Sequence, residues 1–320
     1  MSAIYVVPLA FILGFALGRA ATCTVAATQR WIMDGKTDWL FGLLIVASWA
    51  ALVLFALVEF TGRAHIPLDI RITGQLFFGA ALMGLGAMIN RGCFVGTVGY
   101  IGTGKFSYIL SFVGLAIAFW LARSDVLNLF GPVEFLPRTP VAESLTKQIA
   151  LGLFSLLCLV SLWMIVVKRQ KVYIALIAIG VSAATIYGTR PEWAYTAQLN
   201  SFLQGQGLSV GKTIELAVIA LFGGAIFSSW LKDRFKPQLG SWKFALANLS
   251  GGFLMGIGAS AVPGGNDILL MWTIPGLTLY GVVAYLVMIT AIAVAMLFGK
   301  YVMPKISARL QPASGGAKTS

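Results

Sequence analysis

Nine stretches of this chain are apolar over lengths that match a lipid bilayer: residues 4–22, 40–60, 74–89, 107–122, 149–167, 172–188, 213–231, 244–261 and 277–299. About 17–25 apolar residues cross the hydrocarbon core as a helix, and backbone N–H and C=O groups at that depth must be satisfied within the protein. Nine such runs predict about nine transmembrane helices and leave little chain for anything else. Charged residues make up only 11% of the sequence, against about 25% in a soluble domain. The expected fold class is an all-α integral membrane protein, with one polytopic domain over residues 1–310 and a short polar cytoplasmic tail at 311–320. The first run is read as a retained span, because no basic segment precedes it and "AATC" before Cys23 lacks the aliphatic residue of a lipoprotein cleavage box.

The net charge of +12 would suggest nucleic acid in a soluble protein. Here no basic stretch is interleaved with aromatics, and nucleic acid is excluded as a partner; the partner surface is membrane lipid. Lys and Arg accumulate in cytoplasmic loops of membrane proteins. With the N-terminus outside and the spans alternating, the inside segments hold Arg30, Lys36, Arg91, Lys105, Lys168, Arg169, Lys171, Lys232, Arg234, Lys236, Lys243, Lys300, Lys305, Arg309 and Lys318. The outside segments hold Arg63, Arg71, Arg123, Arg138, Lys147, Arg190 and Lys212. Fifteen against seven predicts N-out, C-in.

Two glycine-rich stretches align without a gap. "GAALMGLGAMINRGC" (79–93) and "GGFLMGIGASAVPGG" (251–265) agree at Gly79/Gly251, Leu82/Leu254, Met83/Met255, Gly84/Gly256, Gly86/Gly258, Ala87/Ala259 and Gly92/Gly264. Small-residue packing alone can produce such likeness, but here the same break follows both copies. The copies lie on the third and eighth predicted spans and so point in opposite directions. Pseudo-repeats of about 1–122 and 213–299, joined by the spans over 149–188, are expected. Inverted repeats around interrupted helices are a recurring transporter architecture with the substrate site at the breaks. Irregular backbone at membrane depth persists only where it is buried or lines a wet cavity, so 90–104 and 263–275 are candidate sides of a pathway.

Chemistry-bearing residues gather at these breaks. Cys93 follows Gly92 at the first, and Cys23 ends the first span within "RAATCTVAATQR". At the second break Gly265 stands where Cys93 does, after Gly264 and before Asn266 and Asp267. A carboxylate inside a bundle is a functional candidate; it could equally cap the helix expected from Ile268, and Asn266 has the same two readings. Asn90 and Arg91 flank the first break. Arg91, with Arg19 one turn before Cys23, would favour an anion together with half-helix amides, or would snorkel to the interface. Cys158, mid-span, reads as a small buried hydrophobe, and His65 as a solvated loop residue. Three cysteines without CxxC spacing and one histidine offer no metal site. "GYIGTGKF" (99–106) approaches a phosphate loop, but Phe106 stands where the hydroxyl belongs and no strand precedes it. No cofactor is expected.

On "GxxxxGxGAxxNRGC" (79–93), "PGGND" (263–267) and the Cys23 segment, the chain resembles the YeeE/YedE sulphur-transport family, bacterial inner-membrane proteins that include thiosulfate uptake systems. The resemblance implies a bundle whose short inner helices enter from both faces and pinch to an hourglass. It also implies pathway cysteines that pass thiosulfate inward through S–H···S hydrogen bonds. Cys23 and Cys93 match two of those positions; a third cysteine, in the C-terminal half, has no match, and Gly265 holds the repeat-equivalent site. The implied function is an inner-membrane permease, not an enzyme, for a small sulphur-containing anion, thiosulfate foremost, with a sulphur-metabolism protein as a potential cytoplasmic partner. The alternatives are a membrane-embedded sulfurtransferase or redox protein with a persulfide on Cys93, or a carrier of another sulphur or selenium compound.

Overall fold

A computed structural model describes residues 5–20, 22–62, 64–123, 131, 133–136, 145–193 and 212–301. The predicted polar tail, and Arg63, Arg138, Lys305, Arg309 and Lys318 of the charge pattern, lie outside the described residues. In chain order the helices are α1 (Val6–Leu17), α2 (Thr24–Asp34), α3 (Asp38–Thr61), α4 (Gly74–Asn90), α5 (Phe94–Gly102), α6 (Ile109–Arg123), α7 (Leu145–Val166) and α8 (Val172–Thr189). There follow α9 (Lys212–Trp230), α10 (Trp242–Ala261), α11 (Asn266–Ile268) with a π-helical continuation over Leu269–Thr273, and α12 (Leu279–Tyr301). No strand occurs among the described residues, only two isolated bridges.

Seven described helical segments are long and apolar enough to cross a membrane. The other two expected spans are shorter apolar helices, Val6–Leu17 and Phe106–Ala122. The first stops at Gly18, five residues before Cys23, because the chain there turns into the break that carries the thiol. The second enters through a 3-10 turn at Phe106–Tyr108. A membrane helix needs apolar side chains outward as much as inward, and α7 is the limiting case. Its Ile149, Leu153, Leu156, Leu159, Trp163 and Val166 are all exposed, while its inner edge packs on α3.

Glycine sets how close α4 and α10 approach. A Cβ on Gly86 would meet the Gly251 carbonyl at 2.7 Å, and one on Gly251 would meet the Gly86 carbonyl at 2.7 Å. Gly79 and Gly258 stand in the same mutual relation, so the two helices run antiparallel. Each glycine therefore faces the counterpart of the other in the aligned stretches, the signature of a self-complementary two-fold contact. Gly84 is pressed against Met288 and Ala291 of α12, whereas its counterpart Gly256 is pressed against Leu115 and Ala118 of α6. The other pairings exchange in the same way: α1 packs on α9 as α3 packs on α8, and α1 also packs on α8.

Loops collect at two ends. At one, the Lys236 amide donates to the Thr103 carbonyl at 3.0 Å, the Gln238 amide to Gly104 at 2.9 Å and the Phe106 amide to Gln238 at 3.0 Å. Lys105, Lys232, Arg234, Lys236 and Lys243 make this the basic end. At the other, Arg71 pairs with Glu134 at 2.9 Å, and Asp69 accepts the Leu279 and Tyr280 amides at 3.0 and 3.2 Å. Exposed His65 belongs to this end, its backbone amide donating to the Gly188 carbonyl at 2.6 Å.

Candidate functional site

The site is built from three helix starts. Cys23 is the residue before α2, Cys93 the residue before α5 and Gly265 the residue before α11. A chain entering a helix from extended backbone places that residue's side chain beside the first free amides. Cys93 does this with sulphur: its Sγ accepts from the Gly96 amide at 3.5 Å. Its thiol lies 3.9 Å from Cys23 Sγ, within weak S–H···S hydrogen-bonding range. Two cysteines seventy positions apart in sequence thus share one buried spot, Cys93 fully enclosed and Cys23 7% exposed. Both are free thiols, as is buried Cys158, which sits away from them in α7.

Gly96, which sequence reasoning passed over, makes this approach feasible. A Cβ there would lie 2.6 Å from Cys23 Sγ. The signal was available as a glycine one turn after Cys93, though not its partner. Thr24, next to Cys23, is also buried and shares a 2.8 Å hydrogen bond with the Tyr285 hydroxyl of α12, which ties the start of α2 to the C-terminal helix.

Asn90 does not line open space. It is fully buried, its Nδ2 donates to the Gly92 carbonyl at 2.7 Å and to Thr97 Oγ1 at 3.1 Å, and its Oδ1 accepts from Ser111 Oγ at 2.7 Å. Asn90 therefore splints the break that presents Cys93. Arg91 ends α4 with a left-handed φ of 57°, and its exposed side chain lies over the Phe244 ring, 5.6 Å from its centre. Gly92 is enclosed: a Cβ would press on the Tyr100 ring at 3.0 Å. Arg19 is likewise tied elsewhere, its Nε donating to Ser228 at 3.1 Å and its guanidinium over the Phe15 ring.

Across the gap, Gly264 takes a φ of +112°, a conformation open to glycine. The half-helix begins at Asn266, after Gly265, so Asp267 lies inside its first turn and is not the residue that precedes it. Asn266 Oδ1 accepts from the Phe94 amide at 3.0 Å, which joins the two breaks directly. Gly265 is packed against Phe94 and the Asp267 carboxyl. Asp267 Oδ2 accepts from the Tyr187 hydroxyl at 3.2 Å, while Asp267 Oδ1 and Asn266 Nδ2 are buried without a partner.

Arg91 opens into a cavity of about 440 Å³ at the basic end, lined also by Lys105, Lys243, Ser107, Ser241 and Phe244 and by no acidic side chain. Phe244 of its lining begins an aromatic ladder. Phe244 stands edge-on to Tyr108 at 5.4 Å, Tyr108 stacks on Tyr100 at 4.7 Å, and those two rings flank Gly92. Three cations around one cavity attract anions. Sequence reasoning identified Arg91 but not Lys105, Lys243 or the ladder.

A comparison with curated proteins finds no match. A family model described as sulphur transport matches residues 19–175 and again residues 168–294, so it spans both breaks and both thiols. Together with an all-helical architecture whose half-helices carry thiols into the interior, that match places this chain in the sulphur transport family.

Proposed function

We propose that the chain is a bacterial inner-membrane permease that carries a small sulphur-containing anion, thiosulfate foremost, past the Cys23–Cys93 thiol pair. The observation that supports this reading most is the 3.9 Å Sγ–Sγ approach of two thiols, each at a buried helix start. A thiol is a weak donor, so it holds a soft sulphur anion briefly, and conduction requires binding that also lets go. Arg91, Lys105 and Lys243 collect the anion at the basic end, which on the Lys/Arg distribution is the cytoplasmic one, with the N-terminus outside. The pathway residues are then Cys23, Cys93, Gly264, Gly265, Asn266 and Asp267, with Asn90 and Gly92 as the mount of the first break and Arg91 at its exit.

The two-fold exchange of helix contacts moves the repeat boundary relative to the sequence reading. We place α1–α6 in one repeat and α8–α12 in the other, with α7 alone as the connector, because α8 packs on α3 as α1 packs on α9. A persulfide-carrying enzyme would present its sulphur to an acceptor, and neither thiol here is exposed.

Growth on thiosulfate as sole sulphur source, in cells without other thiosulfate importers, tests the reading. The parent chain restores growth; Cys93→Ala and Cys23→Ala each lower radiolabelled thiosulfate uptake at least about tenfold, a change equivalent to about 1.4 kcal/mol in the limiting step. Uptake by both variants at the parental rate would refute the thiol route.

A further inference from the structure

Asp267 is the buried ionisable group that thiol conduction leaves unused. Its residue is fully enclosed, its Oδ2 has Tyr187 as hydrogen-bond donor, and its Oδ1 faces Gly265 with no partner. Next to it Asn266 Nδ2 is an equally unpartnered donor. The titratable groups facing this carboxyl are the Tyr187 phenol from α8 and the Cys93 thiol across the gap. The ionisable residues of α3, Asp38 and Glu59, lie toward that helix's two ends, and α12 contributes the phenols of Tyr280 and Tyr285. No Lys, Arg or His forms an ion pair with Asp267 among the described residues. Between α8 and α9 the charged residues are Arg190 and Glu192, directly after α8, and 194–211 contains none.

An ionised carboxylate without a cation is costly in such surroundings, whereas a protonated one becomes a donor. With the proton on Oδ1, that O–H and the Asn266 amide form a pair of donors beside Gly265, and Tyr187 still donates to Oδ2. A donor pair without fixed positive charge can greet an anion and then release it. Inward movement of a dianion works against an inside-negative potential, and one accompanying proton removes half of that charge.

Building on the permease reading, we propose that Asp267 couples the protein to protons: its carboxyl takes up one proton on the side the anion enters, donates that O–H to the anion in the gap, and surrenders the proton toward the basic end as the anion leaves. The protein is then a proton–anion symporter, and Tyr187 is a positioning residue that holds the carboxyl's other oxygen.

The test uses the purified full chain in liposomes containing a pH-sensitive dye, with the potential clamped by potassium and valinomycin. Under an inward thiosulfate gradient the lumen is expected to acidify with close to one proton per anion. Asp267→Asn is expected to slow anion entry and to lower the number of protons entering per anion at least tenfold, and Asp267→Glu to restore that ratio. Anion entry without acidification in the parent, or acidification retained in Asp267→Asn, overturns the proposal. A second readout needs neither transport nor that variant's folding. The parent at neutral pH should show a protonated-carboxyl infrared band that shifts in Tyr187→Phe, where the carboxyl is intact but its bonded oxygen is released. Absence of a band that responds to Tyr187→Phe overturns the proposal whether or not any anion moves. If the band responds but thiosulfate does not enter, the thiosulfate reading alone fails. The dye assay repeated with sulphite then decides the coupling, and a lumen that stays at constant pH while sulphite enters, or an absence of sulphite entry, overturns it.

Discussion

The two breaks that meet inside this protein begin from aligned sequences and end as different structures. At the first, Asn90 satisfies its own polar atoms with Gly92, Thr97 and Ser111, and a regular nine-residue helix, α5, follows. At the second, Val262 occupies the position aligned with Asn90. No polar splint is left there, α11 passes after three residues into a π-helix, and two buried polar atoms lack partners. Buried polar groups are nearly always paired, and π-helical turns concentrate at functional positions. The contrast separates two tasks. One lip holds a thiol in a fixed place; the other keeps hydrogen-bonding capacity in reserve beside a glycine.

The comparison breaks most readily at Asn90. Asn90→Ala leaves Ser111 Oγ and the Gly92 carbonyl without their bonds in a closed interior, a loss of about 1–3 kcal/mol. The detergent-solubilised protein should melt several degrees lower, and thiosulfate uptake should fall severalfold because Cys93 loses its fixed position. Val262→Thr, which adds a hydroxyl at the aligned position of the other lip, should not restore it. If Asn90→Ala melts and transports like the parent, the splint is not what distinguishes the lips.

A smaller effect is expected from giving the second lip the sulphur of the first. Gly265→Cys inserts a side chain against the Phe94 ring edge, where a Cβ would sit at 2.8 Å, and against Asp267 Oδ1. Overpacking of this kind costs about 1–3 kcal/mol. The variant should melt lower than the parent and transport two- to fivefold more slowly, although it carries one more thiol. Faster uptake would mean that the lip has room and that a third sulphur extends the path.

Much of this was legible in the sequence because it depends on periodic or local features. Apolar run length places the helices, and the gapless match between 79–93 and 251–265 identifies α4 and α10 before any contact is known. Cys23 and Cys93 were readable as candidates from their glycine- and alanine-rich surroundings. That the two thiols could face one another was readable too, but not the 3.9 Å distance, which depends on Gly96 leaving a hole for Cys23, a relation between helices seventy residues apart. Asn90 reads as a pathway residue because it is a polar side chain at a break; its three hydrogen bonds, which hold that break, depend on Thr97 and Ser111 from later helices. Lys105 and Lys243 read as ordinary loop charges until the 103–106 and 236–238 segments pair and carry them to one cavity.

That cavity supplies the mildest test of the asymmetry, because its charges act at a distance. Arg91 lies 5.6 Å from the Phe244 ring centre, Lys105 5.0 Å from Tyr100 and Lys243 5.9 Å from Trp242, so each cation rests on an aromatic face with its charge free to attract an anion. The position aligned with Arg91 at the other break is Pro263, which carries no charge. Single changes Arg91→Gln, Lys105→Gln and Lys243→Gln should each raise the apparent KM for anion entering from the basic end about twofold at low salt. Partly exposed charges are screened over about 8 Å at physiological ionic strength and about 3 Å at 1 M. The KM difference should therefore shrink toward nothing in concentrated potassium chloride, while melting temperature and maximal rate stay near parental values. Flux from the opposite face, measured in liposomes of defined orientation, should respond less. Equal KM changes from both faces, or a change that survives high salt, would place these cations inside the common pathway instead of at one mouth.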